Sequence, residues 1–490
     1  MKKLITNSIM TLFALSAWAL DAINIGTEDT FTTSGGNFDY ISFDGNGAFL
    51  DQTASYIYLK GTESEQSGNV YVGENVEATF NQTTSDGVYL QSGDTTKTAV
   101  GKVVGVSKDT SILNLNVNCF TTQNKAANQQ KMEVSNITLN IQAQYDEAAK
   151  ANYNQSTLRA SYFSFNNTKL VVKTPEANST LYTRLEAGGF SGQRLYQFAN
   201  SEIIIETGAE LRLVTPTNVK GYKSLYLNNT PLTVSGKLNL TNGSVVNDFY
   251  IGTGSTITLN EGGVITSPYS LKMDTTTINL HDTWNLTPGI HASIMNNQTT
   301  TFNIDAGKKL INSKLMNIGK NSVMLLKGEG SVEINKLSNH YASENVNGEN
   351  AKLDVQVASA TITTLQLWDD KFFKIDVAKD SVLTIGSIVA ETEGATVNVS
   401  LADDIIKGSI LVSDMDDYLK IYNPQEVGME IGFYTEDGSA LRELGVNLWI
   451  EETANGSGIY TIYTQVPEPA EWAMIFGAIA LGFVAYRRRK

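Results

Sequence analysis

Disulfide bonds are the first stabilising feature that this sequence lacks. Its 490 residues contain one cysteine and eight prolines. A single cysteine cannot form an internal disulfide, so stability has to come from buried apolar side chains and hydrogen bonds. The cysteine itself, Cys119, stands between Asn118 and Phe120. It is interpreted as a small core side chain, not as a nucleophile.

Histidine is scarce as well. The three histidines, His281, His291 and His340, are scattered without the spacing of metal ligands, so no metal site is predicted. No Gly-x-Ser-x-Gly elbow, phosphate-binding loop or dinucleotide fingerprint stands between a strand and a helix. We therefore expect no cofactor and no nucleotide chemistry.

Positive charge is in the minority. The chain has 36 Lys and Arg against 51 Asp and Glu, a net charge of −15 and a pI near 4.8. This balance argues against nucleic acid as a partner. The densest acidic groups, Asp369-Asp370, Asp403-Asp404 and Asp414 to Asp417, lack the glycine and terminal glutamate of an EF-hand loop. They are interpreted as solvated turns, with a weak calcium site across neighbouring coils as the alternative.

What the sequence does have is a repeated triplet: two large apolar residues around a central residue that is usually polar. Such alternation predicts short strands with one face inward. The triplets begin at Leu170, Ile203, Leu211, Leu238, Ile257, Ile278, Phe302, Leu353, Phe373 and Val397. From Ile257 onward, and again from Leu353, the step is about 20 to 24 residues, which is typical of stacked repeats.

Glycine-rich turns separate these triplets. Examples are Thr207-Gly208-Ala209-Glu210, Glu261-Gly262-Gly263 and Asp305-Ala306-Gly307. Glycine supplies the positive φ that tight turns need. A repeat of this length cannot bury its own apolar face, so stacking is required, and an all-β parallel β-helix is the favoured fold. Antiparallel β-sandwiches in series are the alternative, because strands every 8 to 12 residues fit them too.

The repeats have flanking regions of different character. Phe120 to about Ala160 is interpreted as an excursion from the repeated body, with a short helix at Gln144–Asn152. From about Ile405 to Gln465 the repeat loosens into four strand-like segments. We expect a strand-rich cap there, since an open solenoid end would expose unpaired strand edges.

The N-terminus has the pattern of a secretory signal peptide. Met1-Lys2-Lys3 is basic, Leu4 to Ser16 is mainly apolar, and Ala17-Trp18-Ala19 supplies a small-x-small site. We expect cleavage after Ala19. The main part of the chain is then predicted to be exported.

The C-terminus joins three unlike segments. Pro467 and Pro469 fix φ and remove two backbone donors, so Val466-Pro467-Glu468-Pro469 should be extended and exposed. Trp472–Tyr486 is apolar throughout, although shorter than the roughly 20 residues that a bilayer usually needs. Arg487-Arg488-Arg489-Lys490 should remain on the cytoplasmic side, which places the rest of the chain outside.

This tail resembles the PEP-CTERM sorting signal of bacterial exported proteins, also known as an ice-binding-protein C-terminal motif. The resemblance covers Val466-Pro467-Glu468-Pro469, the apolar segment and the basic end, about a twentieth of the chain. It implies cleavage near Pro-Glu-Pro by a membrane-embedded exosortase and transfer of the body to the cell surface or its polysaccharide matrix. An uncleaved single-pass anchor is the alternative.

Two functions remain open for the body of the chain. A structural or adhesive protein, and not an enzyme, is favoured: outward Thr, Asn and Ser can hydrogen-bond sugars, and Tyr56, Tyr58, Tyr71 and Tyr89 could stack on sugar rings. The alternative is a surface-anchored polysaccharide lyase or glycoside hydrolase, an analogy based on the fold alone. Such an enzyme would need carboxylates to converge from different coils. The candidates are Asp282, Asp305, Asp354 and Asp376.

The predicted organisation has four parts. Residues 1–19 form the signal peptide and 20–404 the β-helical body. Residues 405–465 form the cap. Residues 466–490 form the sorting signal, with a transmembrane helix at 472–486.

Overall fold

The chain divides into two compact units, Met1–His291 and Ala292–Lys490. Within the residues that the computed structural model describes, every regular element is a β-strand. The described residues are 22–60, 68–82, 87–90, 100–117, 120–122, 131–143, 158–174, 182–187, 195–214, 224–240, 248–266, 268, 270–286, 291–339, 350–367, 372–378, 381–390, 396–401, 410–412, 430–434, 447–452 and 460–465.

The strands of the first unit are short and follow one another closely. They are β1 (Ile23–Ile25), β2 (Thr30–Thr33), β3 (Gly36–Phe38), β4 (Ile41–Phe43), β5 (Phe49–Gln52), β6 (Ile57–Leu59), β7 (Val70–Val72), β8 (Val76–Gln82), β9 (Val88–Tyr89), β10 (Val100–Val104), β11 (Ser111–Val117), β12 (Phe120–Thr121), β13 (Lys131–Ala143), β14 (Leu158–Ala160), β15 (Tyr162–Val172), β16 (Thr183–Ala187), β17 (Tyr196–Ala199), β18 (Glu202–Ile205), β19 (Glu210–Val214), β20 (Ser224–Asn228), β21 (Pro231–Val234), β22 (Lys237–Asn239), β23 (Asp248–Ile251), β24 (Thr256–Leu259), β25 (Val264–Ile265), β26 (Ser270–Met273), β27 (Thr276–Leu280) and β28 (Trp284–Leu286).

These strands form three parallel ladders, here called the first, second and third walls. The first wall is β1, β4, β7, β10, the start of β13 and of β15, β17, β20, β23 and β26. The second is β2, β5, β8, β11, the end of β13 and of β15, β18, β21, β24 and β27. The third is the nine-stranded sheet β3, β6, β9, β12, β14, β16, β19, β22 and β25.

The chain therefore passes the same walls in turn, which is consistent with the expected β-helix and confirms the all-β class. The core is built by side chains that repeat at one position of each strand. In the second wall Phe80, Leu115 and Ile141 lie in register on successive strands and are fully buried. Each such side chain contributes about 1.5–3 kcal/mol by leaving water. The column continues through Val172, Ile205, Val234, Leu259 and Leu280.

The expected alternation holds for most of the predicted triplets whose side chains are described, but in those at Leu170 and Leu238 the central residue, Val171 or Asn239, is buried as well. Ile257 and Leu259 are buried on either side of the half-buried Thr258, and Ile257 lies in register with Ile278. The predicted spacing of 20 to 24 residues holds in this part of the unit but not in the earlier part. Asn229 lies 29 residues after Asn200, and Asn167 lies 31 residues after Asn136, at equivalent points of adjacent coils.

The corner between the first and second walls is made by residues in the left-handed conformation. Asn136, Asn167, Asn200 and Asn229 have φ of 54°, 49°, 49° and 47°, and Gly254 has 76°. Asparagine tolerates this conformation better than other side chains. The amides also join adjacent coils: Nδ2 of Asn167 donates to Oδ1 of Asn136 at 2.8 Å, and Nδ2 of Asn229 to Oδ1 of Asn200 at 2.9 Å.

Buried hydroxyls complete the hydrogen bonding at this corner. Thr168, Ser201 and Thr230 follow the left-handed asparagines and are at most 2% exposed. The Thr168 N–H donates to Ser201 Oγ at 3.1 Å, and the Ser201 N–H donates to Thr230 Oγ1 at 3.3 Å. The Thr230 N–H donates in turn to Ser255 Oγ at 3.1 Å. The hydroxyl oxygens of Ser201, Thr230 and Ser255 thus each accept from a buried backbone N–H of the preceding coil, which would be costly to leave without a partner.

The predicted glycine turns are present. Gly208 and Gly262 have φ of 78° and 77°, and Gly307 of the second unit has 73°. The interpretation of Phe120 to Ala160 as an excursion is wrong for its described part. Strand β13 pairs with β10 and β11 on one side and β15 on the other, so it is a regular member of the walls. The predicted helix Gln144–Asn152 lies outside the described residues.

The strands of the second unit are β29 (His291–Ile294, which begins at the last residue of the first unit), β30 (Thr299–Ile304), β31 (Lys309–Ile318), β32 (Val323–Ser338), β33 (Ala351–Leu367), β34 (Phe372–Val377), β35 (Val382–Ala390), β36 (Thr396–Leu401), β37 (Ile410–Val412), β38 (Glu430–Tyr434), β39 (Asn447–Glu452) and β40 (Tyr460–Gln465). Some of these strands are longer, and β32 and β33 each take part in two ladders.

Parallel pairing continues through most of this unit. One ladder is β30, β32, β33, β34, β36 and β38. Another is β31, β32, β33, β35 and β37. The triplets at Leu353 and Phe373 are offset by two residues, because Leu353 lies beside Ile375.

The direction of pairing changes at the end of the described chain. Strand β40 runs antiparallel to β37 on one side and to β39 on the other. All four predicted strands of residues 405–465 are present, as β37 to β40. The last described residue, Gln465, is the residue before the Val466–Pro469 motif.

Candidate functional site

Three of the four tyrosines predicted to bind sugar rings lie together on the third wall. Tyr58 and Tyr89 are register partners on β6 and β9, and their rings stack with centroids 5.2 Å apart at 24°. Tyr56 lies 5.9 Å from Tyr58 and 5.6 Å from Tyr89. Tyr71 is elsewhere, on the first wall, where it meets Tyr40 edge to face at 6.4 Å.

The stacking of these rings affects what they can bind. One ring face of Tyr58 lies against one ring face of Tyr89, so these two faces cannot also stack on a ligand. All three tyrosines of this cluster are half-buried, so part of each side chain is open to solvent. Such a surface can hydrogen-bond a polar ligand, but it offers less ring face for stacking than separate tyrosines would.

The same outward face carries a stripe of ion pairs farther along the third wall. Arg159 and Arg184 both reach Glu186, with N–O distances of 3.3 and 3.0 Å. One strand later, Nε of Arg212 donates to Oε1 of Glu210 at 2.6 Å, and Lys237 lies 3.5 Å from the same oxygen. The side chains of this stripe hold one another in place across adjacent strands.

Glu210 is the most strongly held carboxylate of the stripe. Burial raises the pKa of its carboxyl group. Hydrogen bonds from Arg212 and Asn239, together with the charges of Arg212 and Lys237, outweigh this effect, so the net pKa is lowered. The guanidinium of Arg212 also lies 3.3 Å from the centroid of the Tyr182 ring, a cation–π contact. Glu210 therefore remains ionised and stabilises the stripe at neutral pH.

Tyr196 joins the first and third walls through the core. Its hydroxyl group accepts a hydrogen bond from the Ala187 N–H at 3.1 Å, and its oxygen lies 3.0 Å from Leu185 O and 2.6 Å from Val214 O. Burial is the main reason why the pKa of this hydroxyl is raised. Tyr196 is a fully buried structural residue that does not ionise at physiological pH.

In the second unit, two of the candidate catalytic carboxylates come together. Asp354 and Asp376 are register partners on β33 and β34. Nζ of Lys352 contacts Asp376 and lies 3.0 Å from Oδ2 of Asp354. Burial lowers the pKa of Lys352, but the two carboxylates raise it by more, so the lysine is held in its charged form. This group is an ion-pair cluster on the outside of a ladder.

The other two candidate residues, Asp282 and Asp305, lie in turns. Asp282 Oδ2 accepts from the Gly262 N–H at 2.8 Å, and its Oδ1 accepts from the Thr283 N–H at 2.7 Å. Asp305 is the first residue of a turn, and its backbone oxygen accepts a hydrogen bond from the Lys308 N–H at 3.0 Å. Asp282 belongs to the first unit, whereas Asp305 belongs to the second unit together with Asp354 and Asp376.

Most predicted site residues lie outside the described part of the chain. These are Ala17 and Ala19 of the signal-peptidase site, Val466 to Pro469, the apolar segment and Arg487 to Lys490. Cys119, His340 and the three acidic groups Asp369-Asp370, Asp403-Asp404 and Asp414–Asp417 are also outside it. His281 follows β27, and His291 is buried at the start of β29.

The described residues lack two features. They contain no group of three or more His, Cys, Asp or Glu side chains that could hold a metal ion. Among the same residues, no helix has the length and apolar character to cross a membrane.

Sequence reasoning did not identify the corner asparagines or the ion-pair stripe. The signal for the first was an Asn-Ser/Thr doublet that recurs in three successive coils, as Asn167-Thr168, Asn200-Ser201 and Asn229-Thr230. The signal for the second was charge alternating with apolar residues, as in Thr183-Arg-Leu-Glu186 and Glu210-Leu-Arg212. Comparison with known proteins adds no further guidance: no protein-family model, curated protein or solved structure matches the chain.

Proposed function

We propose that this chain is an exported structural or adhesive protein of the bacterial cell surface or extracellular matrix. It is sorted by its C-terminal Pro-Glu-Pro, apolar and basic segments, and an exosortase-like membrane enzyme processes it. The observation that carries this proposal is the order of those segments at Val466–Lys490, together with the leader at residues 1–19. The destination is the cell envelope, with exopolysaccharide as the expected surrounding material.

The outward side chains support a structural role. Most of the named outward groups are joined to one another across adjacent strands, as in the Tyr58–Tyr89 stack and the Arg159–Glu186 ion pair. Parallel ladders offer a large regular surface and need no disulfide. Such a surface can bind a matrix through many weak polar contacts.

The enzymatic alternative is a β-helical polysaccharide lyase or glycoside hydrolase. The Lys352, Asp354 and Asp376 cluster is the observation most in its favour, since it gathers two carboxylates and a charged lysine on one ladder. Cleavage of an acidic polysaccharide by the wild-type protein, lost in Asp376→Asn, would establish this activity. Retained binding without cleavage supports the structural proposal.

The sorting proposal is tested by the mass of the C-terminus of the surface-exposed protein. The intact chain should yield a product that ends near Pro467 to Pro469. Replacement of both prolines by alanine should leave the tail uncut, because the rigid extended element is lost. An uncut tail in both proteins would show a permanent membrane anchor instead.

A further inference from the structure

The ion-pair stripe of the third wall differs in charge from the chain as a whole. It lies on β14, β16, β19 and β22, which pair in succession. The described residues of these four strands include four cations and two carboxylates, a surplus of two positive charges, whereas the whole chain has a net charge of −15. The cations are Arg159, Arg184, Arg212 and Lys237, one on each strand. The stripe is therefore a basic region of an acidic protein.

The carboxylates of the stripe are less exposed than the cations that contact them. The side chain of Glu186 is 12% exposed, against 37% for Arg159. The side chain of Glu210 is 18% exposed, against 42% for Lys237. The charge that the stripe presents to solvent is therefore mainly positive.

The ion pairs at the second wall of the same unit are balanced. Lys169 contacts Glu202 and Lys173 contacts Glu206, one cation for each carboxylate. These carboxylates are 33% and 35% exposed, close to the 37% and 40% of their lysines. Both signs of charge are thus equally open to solvent there, and the excess of exposed positive charge is a property of the third-wall stripe.

The cations of the stripe follow a regular order. Neighbouring strands lie about 4.7–4.9 Å apart, so the four strands present one cation per step over about 15 Å. Arg184 and Arg212 are register partners, and Arg159 and Lys237 stand on the strands before and after them. This arrangement is complementary to a linear polymer that carries negative charges at regular intervals.

Two features favour a polysaccharide over a nucleic acid as this polymer. The row of the third wall that contains Arg159 leads through Thr121 to Tyr89, which places a tyrosine within about 10 Å of the stripe. A tyrosine hydroxyl group can hydrogen-bond a sugar. Nucleic acids are bound by aromatic rings on which bases stack, but Tyr58 and Tyr89 each use one ring face on the other.

We propose that the ion-pair stripe binds an acidic polysaccharide that lies across β14, β16, β19 and β22. This inference rests on the proposed function, since it names the class of matrix polymer that the exported protein binds. The sugar carboxylates contact the exposed cations Arg159 and Lys237. Negative charges elsewhere on the protein oppose this binding only weakly, because exposed charges more than about 8 Å apart are largely screened at physiological ionic strength.

Removal of the two most exposed cations tests the inference in the purified full-length chain. Arg159→Gln together with Lys237→Gln removes the surplus of two charges and leaves the other two cations paired with their carboxylates. Binding to immobilised polygalacturonate, measured by surface plasmon resonance, should become about tenfold weaker, the order expected for the loss of two exposed ion pairs. Arg159→Lys keeps the charge and should bind as the wild type does.

Two lysines of the second wall provide the matched control. Lys169→Gln together with Lys173→Gln removes the same charge from side chains of similar exposure in the same unit. This variant should bind polygalacturonate with wild-type affinity. Wild-type binding should weaken as the ionic strength rises from about 0.05 to about 0.5 M, since the contacts are between exposed charges. Uncharged dextran should not bind.

The outcomes separate this inference from the function on which it rests. Equal losses in the two double variants, or equal binding of dextran and polygalacturonate, overturn the stripe as a site for an acidic polysaccharide. Tighter binding of single-stranded DNA than of polygalacturonate overturns it in favour of a nucleic acid. If the surface-exposed protein has a processed C-terminus but does not bind polygalacturonate, the inference fails and the sorting proposal stands. If the tail is never processed while the stripe binds polygalacturonate, the sorting proposal fails and the binding site stands.

Discussion

At the scale of single residues, Glu210 links the charge of the third wall to stability. Its net lowered pKa means that the folded state holds the carboxylate in its ionised form more strongly than the unfolded state does. The resulting stability is fully present above the unfolded pKa, near 4.3. It is lost as the pH falls through the lower, folded pKa.

Glu210→Gln should therefore destabilise the protein in a pH-dependent manner. At pH 7 we expect a loss of about 1–2 kcal/mol in the free energy of unfolding, because hydrogen bonds to a charged group are removed. The difference from wild type should shrink below about pH 4. Urea unfolding followed by circular dichroism at pH 7 and pH 3.5 measures it.

A comparison with an exposed glutamate separates this effect from the general loss of a charge. Glu261 lies in an exposed turn of the same unit. Glu261→Gln should change the free energy of unfolding by less than about 0.5 kcal/mol at both pH values. A loss at Glu210 that is equal at pH 7 and pH 3.5 would contradict the assigned role of its carboxylate.

At the scale of elements, the corner asparagines connect strands within a coil and also join adjacent coils. Asn229→Ala should cost about 2–3 kcal/mol. About 1–2 kcal/mol comes from an ordinary side chain in the left-handed conformation. The remainder comes from the lost Nδ2 hydrogen bond to Asn200. The free energy of unfolding, measured as for Glu210, tests this expectation.

Glycine is the matched control for this position. Gly254 occupies the equivalent corner of the next coil with φ of 76°, so glycine is compatible with the local geometry. Asn229→Gly should cost about 1 kcal/mol, since it keeps the conformation and loses only the amide. If Ala and Gly prove equally destabilising, the left-handed conformation is not what selects asparagine here.

Sequence reasoning succeeded for strands because their signal is local. Ile257-Thr258-Leu259 shows alternation within three residues, and Gly262 marks the turn that follows. The corner pairs were missed because Asn200 and Asn229 are 29 residues apart while Thr258 and Asn279 are 21 apart. A ladder with a variable step has no fixed period, so the coils that align those residues had to be known first.

The contacts of the candidate site also depend on strand pairing and not on local sequence. That Tyr58 stacks on Tyr89 depends on the register between two strands 31 residues apart in sequence, which no local pattern encodes. The convergence of Asp354 with Asp376 depends equally on the pairing of β33 with β34. By contrast, the leader and the sorting tail are contiguous segments, and sequence alone defines both predictions.

At the scale of the whole molecule, the ends of the ladders decide whether the protein associates with other copies, because stacked repeats leave unpaired strands there. In the second unit, β40 covers β37 by pairing in the opposite direction, and β39 pairs with the far side of β40. A parallel ladder that ends in an antiparallel hairpin cannot simply be extended by another coil of the same kind. We interpret the hairpin as the cap expected for residues 405–465.

Deletion of residues 447–465 should therefore leave β37 as an unpaired edge strand through which copies of the protein associate. The backbone groups of β37 that pair with β40 would be exposed, and concentration-dependent assembly should appear in light scattering of the purified protein. Leu411→Lys in the same deletion variant places a charge in the middle of that edge and should reduce assembly. A deletion variant that stays unassembled at all concentrations would show that β40 does not protect β37, and the reason for the change in strand direction would have to be sought elsewhere.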